Sequence, residues 1–476
     1  MPESPDSPES PRNGVHRMSG TKRVVVIGGD AAGMSAASQL RRMTAASEVE
    51  IVAFERGPRT SYAACGLPYL VEDLVGSPDD LIARTPEQFA ERGIDARVHH
   101  EVLSIDVDDR TVLVRNLAEG TESVEGWDEL VIATGGSGVR PPLPGIDCAE
   151  VLQLRTLDDA AEMDRLINAG ATSAVVVGAG YIGLEVTEAL CARGLAVTTI
   201  ELANSVMAAT LDADIAEPVA QAMRSKGVDL RLGTGVETFI TADGHLTAVS
   251  AGGAEIPCDF AVLGLGVRPN TSVAAEAGVP VGDTGGIVVD ERMHTPIDGI
   301  WAAGDCVESS HRITGDRLVV ALGTHANKQG RVLGINLAGG DATFPGVLGT
   351  AITKFAELEI GRTGLSEREA DAAGIPVITS TSSSRTRAGY YPGADEVTTK
   401  LTVRRDDGTL LGAQIVGGSG AGKRIDTLAT AIWCSMTVDD LSMADLSYAP
   451  PFSPVRDPVV LAAGVAAREL RGATGG

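Results

Sequence analysis

Two glycine-rich loops carry the clearest chemical pattern in this sequence. The second loop, Gly178-Ala179-Gly180-Tyr181-Ile182-Gly183, fits GxGxxG and stands between an apolar run and a helix of small residues. In this pattern the first glycine permits a tight turn, the second lets a pyrophosphate approach the backbone, and the third packs helix on strand. The helix N-terminus then faces the phosphates with its partial positive charge. We therefore predict a dinucleotide site at this loop.

The first loop departs from the pattern at one position. It reads Gly28, Gly29, Asp30, Ala31, Ala32, Gly33, so an aspartate stands where the middle glycine belongs. Ala31 and Ala32 are small enough to keep the backbone close to a phosphate, and we expect the Asp30 side chain to point away. A second dinucleotide site is predicted here.

A glutamate follows each loop at a similar distance. Glu55 lies 22 residues beyond Gly33, and Glu201 lies 18 residues beyond Gly183. A carboxylate at these positions accepts hydrogen bonds from ribose hydroxyls and repels a 2′-phosphate. After Glu201 the chain continues with uncharged residues, Leu202 to Asn204, so we predict NADH as the preferred substrate and NADPH as the alternative.

The loops are positioned by two copies of one strand–turn–helix–strand unit. KRVVVI (22–27), a helix from Gly33 to Met43 and EIVAFE (50–55) form the first copy. SAVVV (173–177), a helix from Gly183 to Arg193 and AVTTIE (196–201) form the second. The loops start 150 residues apart, which places the copies in separate domains, each with a parallel sheet. One chain that binds two dinucleotides suggests FAD beside NAD(P)H, the arrangement for hydride transfer through a flavin.

The rest of the chain predicts further strands in the two parallel sheets and, after them, an antiparallel domain. Buried strands are expected in ELVIATG (129–135) and FAVLGLGVRPN (260–270), and the chain returns to the first domain through GIWAAGD (299–305) and a helix from about Gly323 to Leu337. From about Phe344, alternating segments at 399–405 and 410–418 predict an antiparallel sheet, followed by a helix from Ile425 to Met436.

Composition narrows the classes of partner. The formal charge of −25 argues against nucleic acid or an anionic membrane surface. The sequence contains no run of about 18 apolar residues, so no transmembrane helix is predicted. Residues 1–20 are rich in Pro, Ser and Glu and predict a disordered tail, not a signal peptide, so we expect a cytoplasmic protein.

The six cysteines lie far apart, at 65, 148, 191, 258, 306 and 434. The absence of CxxC and of metal-ligand spacing excludes a disulfide scaffold and a thiol zinc site. Five of them are expected to be inert thiols. Cys65 differs, because Gly66 and Pro68 predict a bend around it instead of a packed element.

From about Thr21 to Leu470 the chain resembles the pyridine nucleotide–disulfide oxidoreductase superfamily. Beside the two loops, the resemblance rests on Ala133-Thr134-Gly135, on Gly264-Leu265-Gly266 with Val267 to Asn270, and on Ala303-Gly304-Asp305. It implies an α/β fold in which two Rossmann-like dinucleotide-binding domains precede a C-terminal α+β dimerisation domain. The FAD-binding domain would span 21–145 and 271–343, the NAD(P)-binding domain 146–270, and the dimerisation domain 344–476.

The resemblance also implies roles for single residues. Asp305 would hold the ribityl chain of FAD, Tyr181 would cover the flavin until nicotinamide displaces it, and Glu185 would lie beside the nicotinamide. The remaining expected FAD contacts include Glu55, Arg56, Val102 and the Ala133–Gly135 turn, while Gly266 is expected near NAD(P)H.

The segment Ser61-Tyr62-Ala63-Ala64-Cys65-Gly66-Leu67-Pro68-Tyr69 is similar to the single-cysteine branch of that superfamily. This branch contains coenzyme A-disulfide reductases, NADH oxidases and peroxidases, and coenzyme A persulfide reductases. The resemblance places the Cys65 thiol over the flavin, where it cycles through a mixed disulfide or a sulfenic acid. We expect the flavin and a helix N-terminus to lower its pKa.

Coenzyme A-disulfide reductases match best among these. Their substrate-contacting positions correspond to Ser35, Gln39, Arg42, Ser61, His325 and Arg456. Arg42, His325 and Arg456 would supply positive charge for the substrate's phosphates. Tyr448, and Tyr391 or its neighbour Tyr390, match tyrosines that reach the active site of the partner subunit in a homodimer. Ala64 departs from the coenzyme A-disulfide reductases, which often have Asn immediately before the cysteine.

The favoured interpretation is an FAD-dependent reductase of a coenzyme A-containing disulfide. The alternatives are an NADH oxidase or peroxidase, a coenzyme A persulfide reductase, a reductase for a small electron-transfer protein, and a flavin-bound redox sensor. Oxidases and peroxidases of this branch usually carry a histidine where this chain has Ala31, and that acid would protonate the leaving group of a peroxide.

Overall fold

The computed structural model describes residues 20–474. Apart from Gly20, the predicted disordered tail lies outside the described residues. Within the described part of the chain, no helix combines the length and the apolarity needed to cross a membrane.

The first third of the chain builds a nucleotide-binding sheet with helices packed on it. Its elements are β1 (Lys22–Ile27), α1 (Ala31–Met43), β2 (Val49–Phe54), α2 (Leu67–Val71), α3 (Pro86–Ala90), β3 (Asp95–Arg97), β4 (His100–Asp106), β5 (Thr111–Asn116), β6 (Thr121–Gly126), β7 (Glu129–Ile132) and β8 (Gly136–Gly138). The strands β4, β5 and β6 form a separate antiparallel sheet.

The second nucleotide-binding unit repeats this plan. Its elements are β9 (Val151–Leu152), α4 (Leu157–Asn168), β10 (Ser173–Val177), α5 (Tyr181–Ala192), β11 (Ala196–Ile200), α6 (Ala213–Ser225), β12 (Asp229–Arg231), β13 (Val236–Ala242), β14 (His245–Ala251), β15 (Ala254–Pro257), β16 (Phe260–Leu263) and β17 (Val267–Pro269). The sheet order is β12-β11-β10-β16-β9, with every pairing parallel.

The chain then returns to the first sheet. This segment contains α7 (Ser272–Glu276), β18 (Ile300–Ala302), β19 (Ser309–Ser310), β20 (Arg317–Leu318) and α8 (Gly323–Leu337). The strand β18 pairs in parallel with β7 and completes the order β18-β7-β1-β2-β3. Val24, Val25 and Val26 of the central strand β1 are at most 1% exposed, because they share one core with residues of α1 and of the antiparallel strand β5.

The remaining elements form an antiparallel domain. They are β21 (Ala351–Phe355), β22 (Leu358–Gly364), α9 (Glu367–Ala372), β23 (Val377–Arg385), β24 (Glu396–Arg404), β25 (Leu410–Gly417), α10 (Ile425–Trp433), α11 (Val438–Ser442) and α12 (Pro458–Thr474). The sheet order is β21-β22-β25-β24-β23. The predicted helix from Ile425 ends at Trp433, three residues early, and Ser435 then adopts a left-handed φ of 54°.

The predicted α/β class with two Rossmann-like units and a third, antiparallel unit is confirmed. The exact domain bounds stay predictions. Two short strands, β8 and β17, pair antiparallel where the chain crosses between the two nucleotide-binding units. At this crossing the Asn270 amide donates to the carbonyl of Thr134 at 2.9 Å.

Candidate active site

A cleft of about 580 Å³ opens at the carboxyl ends of β1, β7 and β18. The carboxyl ends of parallel strands meet at one edge of a sheet, which is where such folds bind nucleotides. Ten of the predicted FAD residues line this cleft: Gly28, Ala31, Ala32, Glu55, Arg56, Val102, Ala133, Thr134, Gly135 and Asp305.

The first glycine loop brings the N-terminus of α1 against the cleft. Gly28 has a φ of +111°, and a Cβ on it would lie 2.1 Å from the Ala133 carbonyl oxygen. A Cβ on Gly33 would lie 2.1 Å from the Gly28 carbonyl oxygen. Because neither position has room for a side chain, α1 starts close to the strand ends and its first N–H groups can face a pyrophosphate.

The two acids hold their own loops in the same way. Glu55 accepts hydrogen bonds from the N–H groups of Gly29 (2.8 Å) and Gly57 (2.7 Å). Glu201 accepts from the N–H groups of Ala179 and Ala203, both at 2.8 Å. Each carboxylate has about four acceptor positions, so two remain for the hydroxyls of a ribose.

The second glycine loop has open space where the fingerprint requires it. Gly178 has a φ of +101°, whereas a Cβ on Gly180 would meet no atom within 4 Å. The middle glycine thus borders open space, as the fingerprint requires for the approach of a pyrophosphate. Ile182 packs into the core beneath the loop, and Gly266 accepts a hydrogen bond from the Val139 N–H at 3.0 Å.

The C-terminal domain fixes the residues predicted to meet the nicotinamide. The Thr353 hydroxyl donates to Glu185 Oε1 at 2.8 Å, and burial raises the pKa of Glu185. On the same helix, Glu188 pairs with Lys354 at 2.6 Å. Tyr181 packs against an apolar cluster that includes residues of β21 and β22, and burial raises the pKa of its hydroxyl.

Cys65 lies in a short 3-10 turn, Ala64–Gly66, that leads directly into α2. The residue is exposed. The segment before it separates two cavities, because Tyr62 lines the cleft, Ser61 lines a second cavity, and Ala31 lines both. Ser61 adopts a left-handed φ of 48°, and its N–H donates to the Gly29 carbonyl at 2.9 Å. Such a strained residue is held by its surroundings, here by the glycine loop.

The expected lowering of the Cys65 pKa is not produced by the protein's own groups. Partial desolvation of the thiol and the carboxylates of Glu185 and Asp305 raise the pKa of Cys65 in the polypeptide, and the expected effect of the flavin stays a prediction. Arg155 acts in the opposite direction and lowers the Cys65 pKa. Its guanidinium lies 3.7 Å from the Asp305 carboxylate, and sequence reasoning did not single it out.

The second cavity has a volume of about 290 Å³ and lies between α1 and α8. It is lined by three predicted substrate residues, Ser35, Arg42 and Ser61, together with three that sequence reasoning missed: Arg84, Asn327 and Arg331. The Ser35 hydroxyl donates to Asn327 at 2.7 Å, and Arg42 donates to Gln39 at 2.9 Å. No carboxylate lines this cavity in the described part of the chain.

For two of these three residues the sequence did contain a signal, in their spacing along a predicted helix. Asn327 and Arg331 are four residues apart on α8, so both face α1. Arg84 follows the Cys65 segment in sequence and gave no comparable signal.

The expectation that His325 supplies positive charge is wrong. His325 is 9% exposed, and burial lowers its pKa to about 4, so the imidazole is neutral near pH 7. It packs against Phe344, and it does not line the second cavity.

The residues predicted to act on the partner subunit lie on the C-terminal domain. Tyr391, Tyr448 and Arg456 are exposed, and none of them lines either cavity of the same chain. Tyr448 shares a hydrogen bond with Tyr390, which raises the pKa of the Tyr448 hydroxyl. In the single chain these groups are therefore not brought together with either cavity.

Comparison with known proteins agrees with this architecture. Residues 22–330 match the family described as pyridine nucleotide-disulphide oxidoreductase, and residues 350–458 match the dimerisation domain of that family.

Three relatives span almost the whole chain. An NAD(P)H coenzyme A polysulfide/persulfide reductase of Pyrococcus horikoshii is 39% identical, covering 93% of this chain and 98% of its own. An NADH oxidase of Methanocaldococcus jannaschii is 37% identical, covering 94% and 99%. A coenzyme A disulfide reductase of Staphylococcus haemolyticus is 32% identical, covering 94% and 100%.

Fold and site together define a two-nucleotide oxidoreductase with an exposed thiol, Cys65, three residues beyond Tyr62, which lines the cleft. The chain belongs to the pyridine nucleotide-disulphide oxidoreductase family. It is an enzyme whose cofactors are FAD and NAD(P)H, and the two glycine loops with their clamped acids fit these groups.

Proposed function

We propose that this enzyme reduces a coenzyme A-containing disulfide with NADH, through Cys65. The second cavity carries the proposal: Arg42, Arg84 and Arg331 line it without an opposing carboxylate, in a chain of net charge −25. Three guanidinium groups suit a polyanionic nucleotide, because arginine binds phosphate oxygens through paired hydrogen bonds. The cavity borders the Cys65 segment at Ser61.

The names of the relatives support this substrate class. Two of the three proteins compared above are named for coenzyme A-linked sulfur compounds. A disulfide without phosphate groups would leave the three arginines of the cavity unpaired, so it fits the cavity less well.

The proposed chemistry at Cys65 is thiol–disulfide exchange. The Cys65 thiolate attacks one sulfur of the disulfide, forms a mixed disulfide and expels the other thiolate, which takes a proton. Two electrons and one proton then restore the Cys65 thiolate and release the second thiol. NADH is the source of the electrons, and FAD, when bound, relays them to the sulfur.

Neighbouring groups would support these steps. Arg155 favours the thiolate form of Cys65 against the carboxylates around it. Glu201 would select NADH through its ribose, and Glu185, held by Thr353, would border the nicotinamide. Tyr448 would approach from the partner subunit, with its proton retained by the hydrogen bond to Tyr390.

Replacing Cys65 by Ser tests the redox role. We expect loss of coenzyme A disulfide reduction with retained NADH-dependent reduction of an artificial dye, because dye reduction needs only the flavin. The matched control is Cys434→Ser, since Cys434 is also exposed but lies at the end of α10. Disulfide reduction that survives in the Cys65 variant would remove this residue from the mechanism.

Replacing Arg331 by Ala tests the substrate class. Loss of a charge-assisted contact of about 1.5–3 kcal/mol should raise the KM for coenzyme A disulfide by roughly ten- to a hundredfold. The KM for a disulfide without phosphates should stay unchanged, as should that for NADH. Arg224→Ala, an exposed arginine of α6, is the control. Equal effects on both disulfides would contradict phosphate recognition.

A second candidate is reduction of a coenzyme A persulfide, favoured by the 39% identical relative of that name. The same cavity and thiol would serve, and the two activities are separated by comparing kcat/KM for the two substrates. The NADH oxidase name of another relative makes dioxygen a third acceptor to measure. Ala31 stands where oxidases and peroxidases of this branch usually carry a histidine, so that proton donor for peroxide cleavage is not present at this position.

A further inference from the structure

Asp30 is the residue of the first glycine loop that its pattern does not explain. It is the N-cap of the 13-residue helix α1 and stands where the fingerprint has a glycine, at the approach of a pyrophosphate. The expectation that its side chain points away is wrong: Asp30 lines the cleft, within electrostatic reach of Glu55 and Asp305, which line it too.

The surroundings of Asp30 disfavour its charged form. Burial raises its pKa to about 6, and the carboxylates of Glu55 and, less strongly, Asp305 add to the effect. The N–H groups of Tyr62 and Ala31 act in the opposite direction.

Three other titratable or charged groups belong to the same environment. Arg155 is paired with Asp305, while the Tyr62 hydroxyl donates to the Arg155 carbonyl at 3.3 Å. Cys65 is also within electrostatic reach of Asp30. No ion pair joins Asp30 to a cation among residues 20–474.

The whole cleft is acidic for a site that receives a pyrophosphate. Six carboxylates line it against three guanidinium groups: Asp30, Glu55, Glu101, Asp158, Asp159 and Asp305 against Arg56, Arg59 and Arg155. Asp305 and Asp158 have arginine partners, and Glu55 is fixed by two N–H groups. Asp30 is the one that stands at the phosphate-binding turn itself.

A neutral carboxyl at this turn can bind a phosphate, whereas a charged one repels it. An ionised carboxylate only accepts hydrogen bonds and repels phosphate, whereas a carboxylic acid has an O–H donor. A carboxyl in a desolvated site can remain protonated and donate a hydrogen bond to an anion.

We propose that Asp30 binds the pyrophosphate of FAD as a neutral carboxylic acid, so that FAD binding takes up one proton from solvent. Its hydroxyl hydrogen goes to a phosphate oxygen, and no covalent bond changes. The proposal rests on FAD as the cofactor of this cleft and is independent of the electron acceptor.

The sign of the pH dependence follows from this exchange. In the free protein the proton is present below about pH 6 and is lost as the pH rises. Because the bound phosphates raise the Asp30 pKa further, FAD affinity should be full below about pH 6. Above it the affinity should fall, by up to about tenfold per pH unit, until the pKa of the bound state is reached.

The experiment removes FAD from the purified protein and titrates FAD back between about pH 5.5 and 8.5, with flavin fluorescence as the readout. We expect the wild-type Kd to rise with pH by at least about tenfold over this range. Asp30→Asn, which keeps a donor without a titrating proton, should hold a nearly constant Kd. Asp30→Gly, which restores the fingerprint, should also give a constant Kd and guards against misfolding of the amide variant.

Asp158→Asn is the matched control, because Asp158 lines the same cleft but is exposed and pairs with Arg59. It should keep the wild-type dependence of the FAD Kd on pH.

Calorimetry in two buffers of different ionisation enthalpy should show uptake of up to one proton for wild type, largest above about pH 6, and none for Asp30→Asn. A wild-type Kd that does not change with pH, or an unchanged slope in both Asp30 variants, would overturn the proposal. Both measurements report FAD binding and neither uses a disulfide, so their outcome does not depend on whether the enzyme reduces a coenzyme A disulfide.

Discussion

Two single residues are fixed by hydrogen bonds within their own loops. Glu201 is held by the N–H groups of Ala179 and Ala203, so orienting it would cost little if it binds a ribose, as we predict. Glu55 is held in the same way by the N–H groups of Gly29 and Gly57, so both nucleotide-binding units fix their acid by two backbone hydrogen bonds.

Glu201→Ala should change cofactor preference. Losing hydrogen bonds to a carboxylate, about 1.5–3 kcal/mol, should lower kcat/KM for NADH by roughly ten- to a hundredfold. The value for NADPH should stay constant or rise, because the repulsion of its 2′-phosphate disappears. Steady-state kinetics with both nucleotides measure this, with Glu255→Ala, an exposed glutamate of β15, as the control. A proportional loss for both nucleotides would indicate damage to the loop instead of selection.

At the level of elements, the second cavity depends on how closely α1 and α8 approach. A Cβ on Gly330 would lie 2.3 Å from the Ala32 carbonyl oxygen, and one on Gly334 would lie 2.5 Å from that of Ala36. These two glycines let the helix backbones touch. The predicted substrate residues Ser35 and Arg42 on α1 are thereby placed opposite Asn327 and Arg331 on α8.

Gly334→Ala should therefore separate the two helices. We expect a loss of about 1–3 kcal/mol in the free energy of unfolding, because the new methyl group meets backbone that cannot yield. Urea unfolding measures it. The control is Gly464→Ala in α12, where the nearest atom is 3.9 Å away. There the better helix propensity of alanine should stabilise the protein by up to about 1 kcal/mol. An unchanged stability for Gly334→Ala would show that α1 shifts freely.

On the scale of the whole molecule, the C-terminal domain ties the units together and offers a surface for a second copy. Lys400, with its side chain 6% exposed, pairs with Asp212 and Asp214 of the second unit and with Glu367. Exposed apolar residues gather where the 386–391 and 448–455 segments meet, among them Tyr390, Phe452 and Val455. The match to a family dimerisation domain covers both segments.

The homodimer prediction is tested first by mass and then by subunit mixing. Light scattering should give twice the 49.0 kDa of one chain. Tyr448→Phe should lower disulfide reduction by about tenfold or more if the hydroxyl is a proton donor. A purified heterodimer of one Tyr448→Phe chain and one Cys65→Ser chain contains one intact composite site, so it should recover about half of the wild-type activity. A heterodimer no more active than its parents would place Tyr448 outside the partner's site.

The sequence by itself determined the features that depend on local backbone geometry. The glycine spacing predicted both nucleotide loops and the strand–helix pairs around them, because positive φ and close approach leave few alternatives to glycine. Gly66 and Pro68 predicted a bend at Cys65, and the structure has a 3-10 turn there.

Only the tertiary structure decided what depends on neighbours distant in the chain. The pKa of Cys65 is raised by partial burial and by Glu185 and Asp305, which come from the two nucleotide-binding units. His325 is neutral because it is buried, and the Asp30 side chain faces the cleft with Glu55 and Asp305 nearby. Arg331 joins Arg42 because α8 packs on α1, and Arg84 joins them from the loop before α3. Electrostatic and solvation energies depend on distance and burial in space, which spacing along the sequence does not specify.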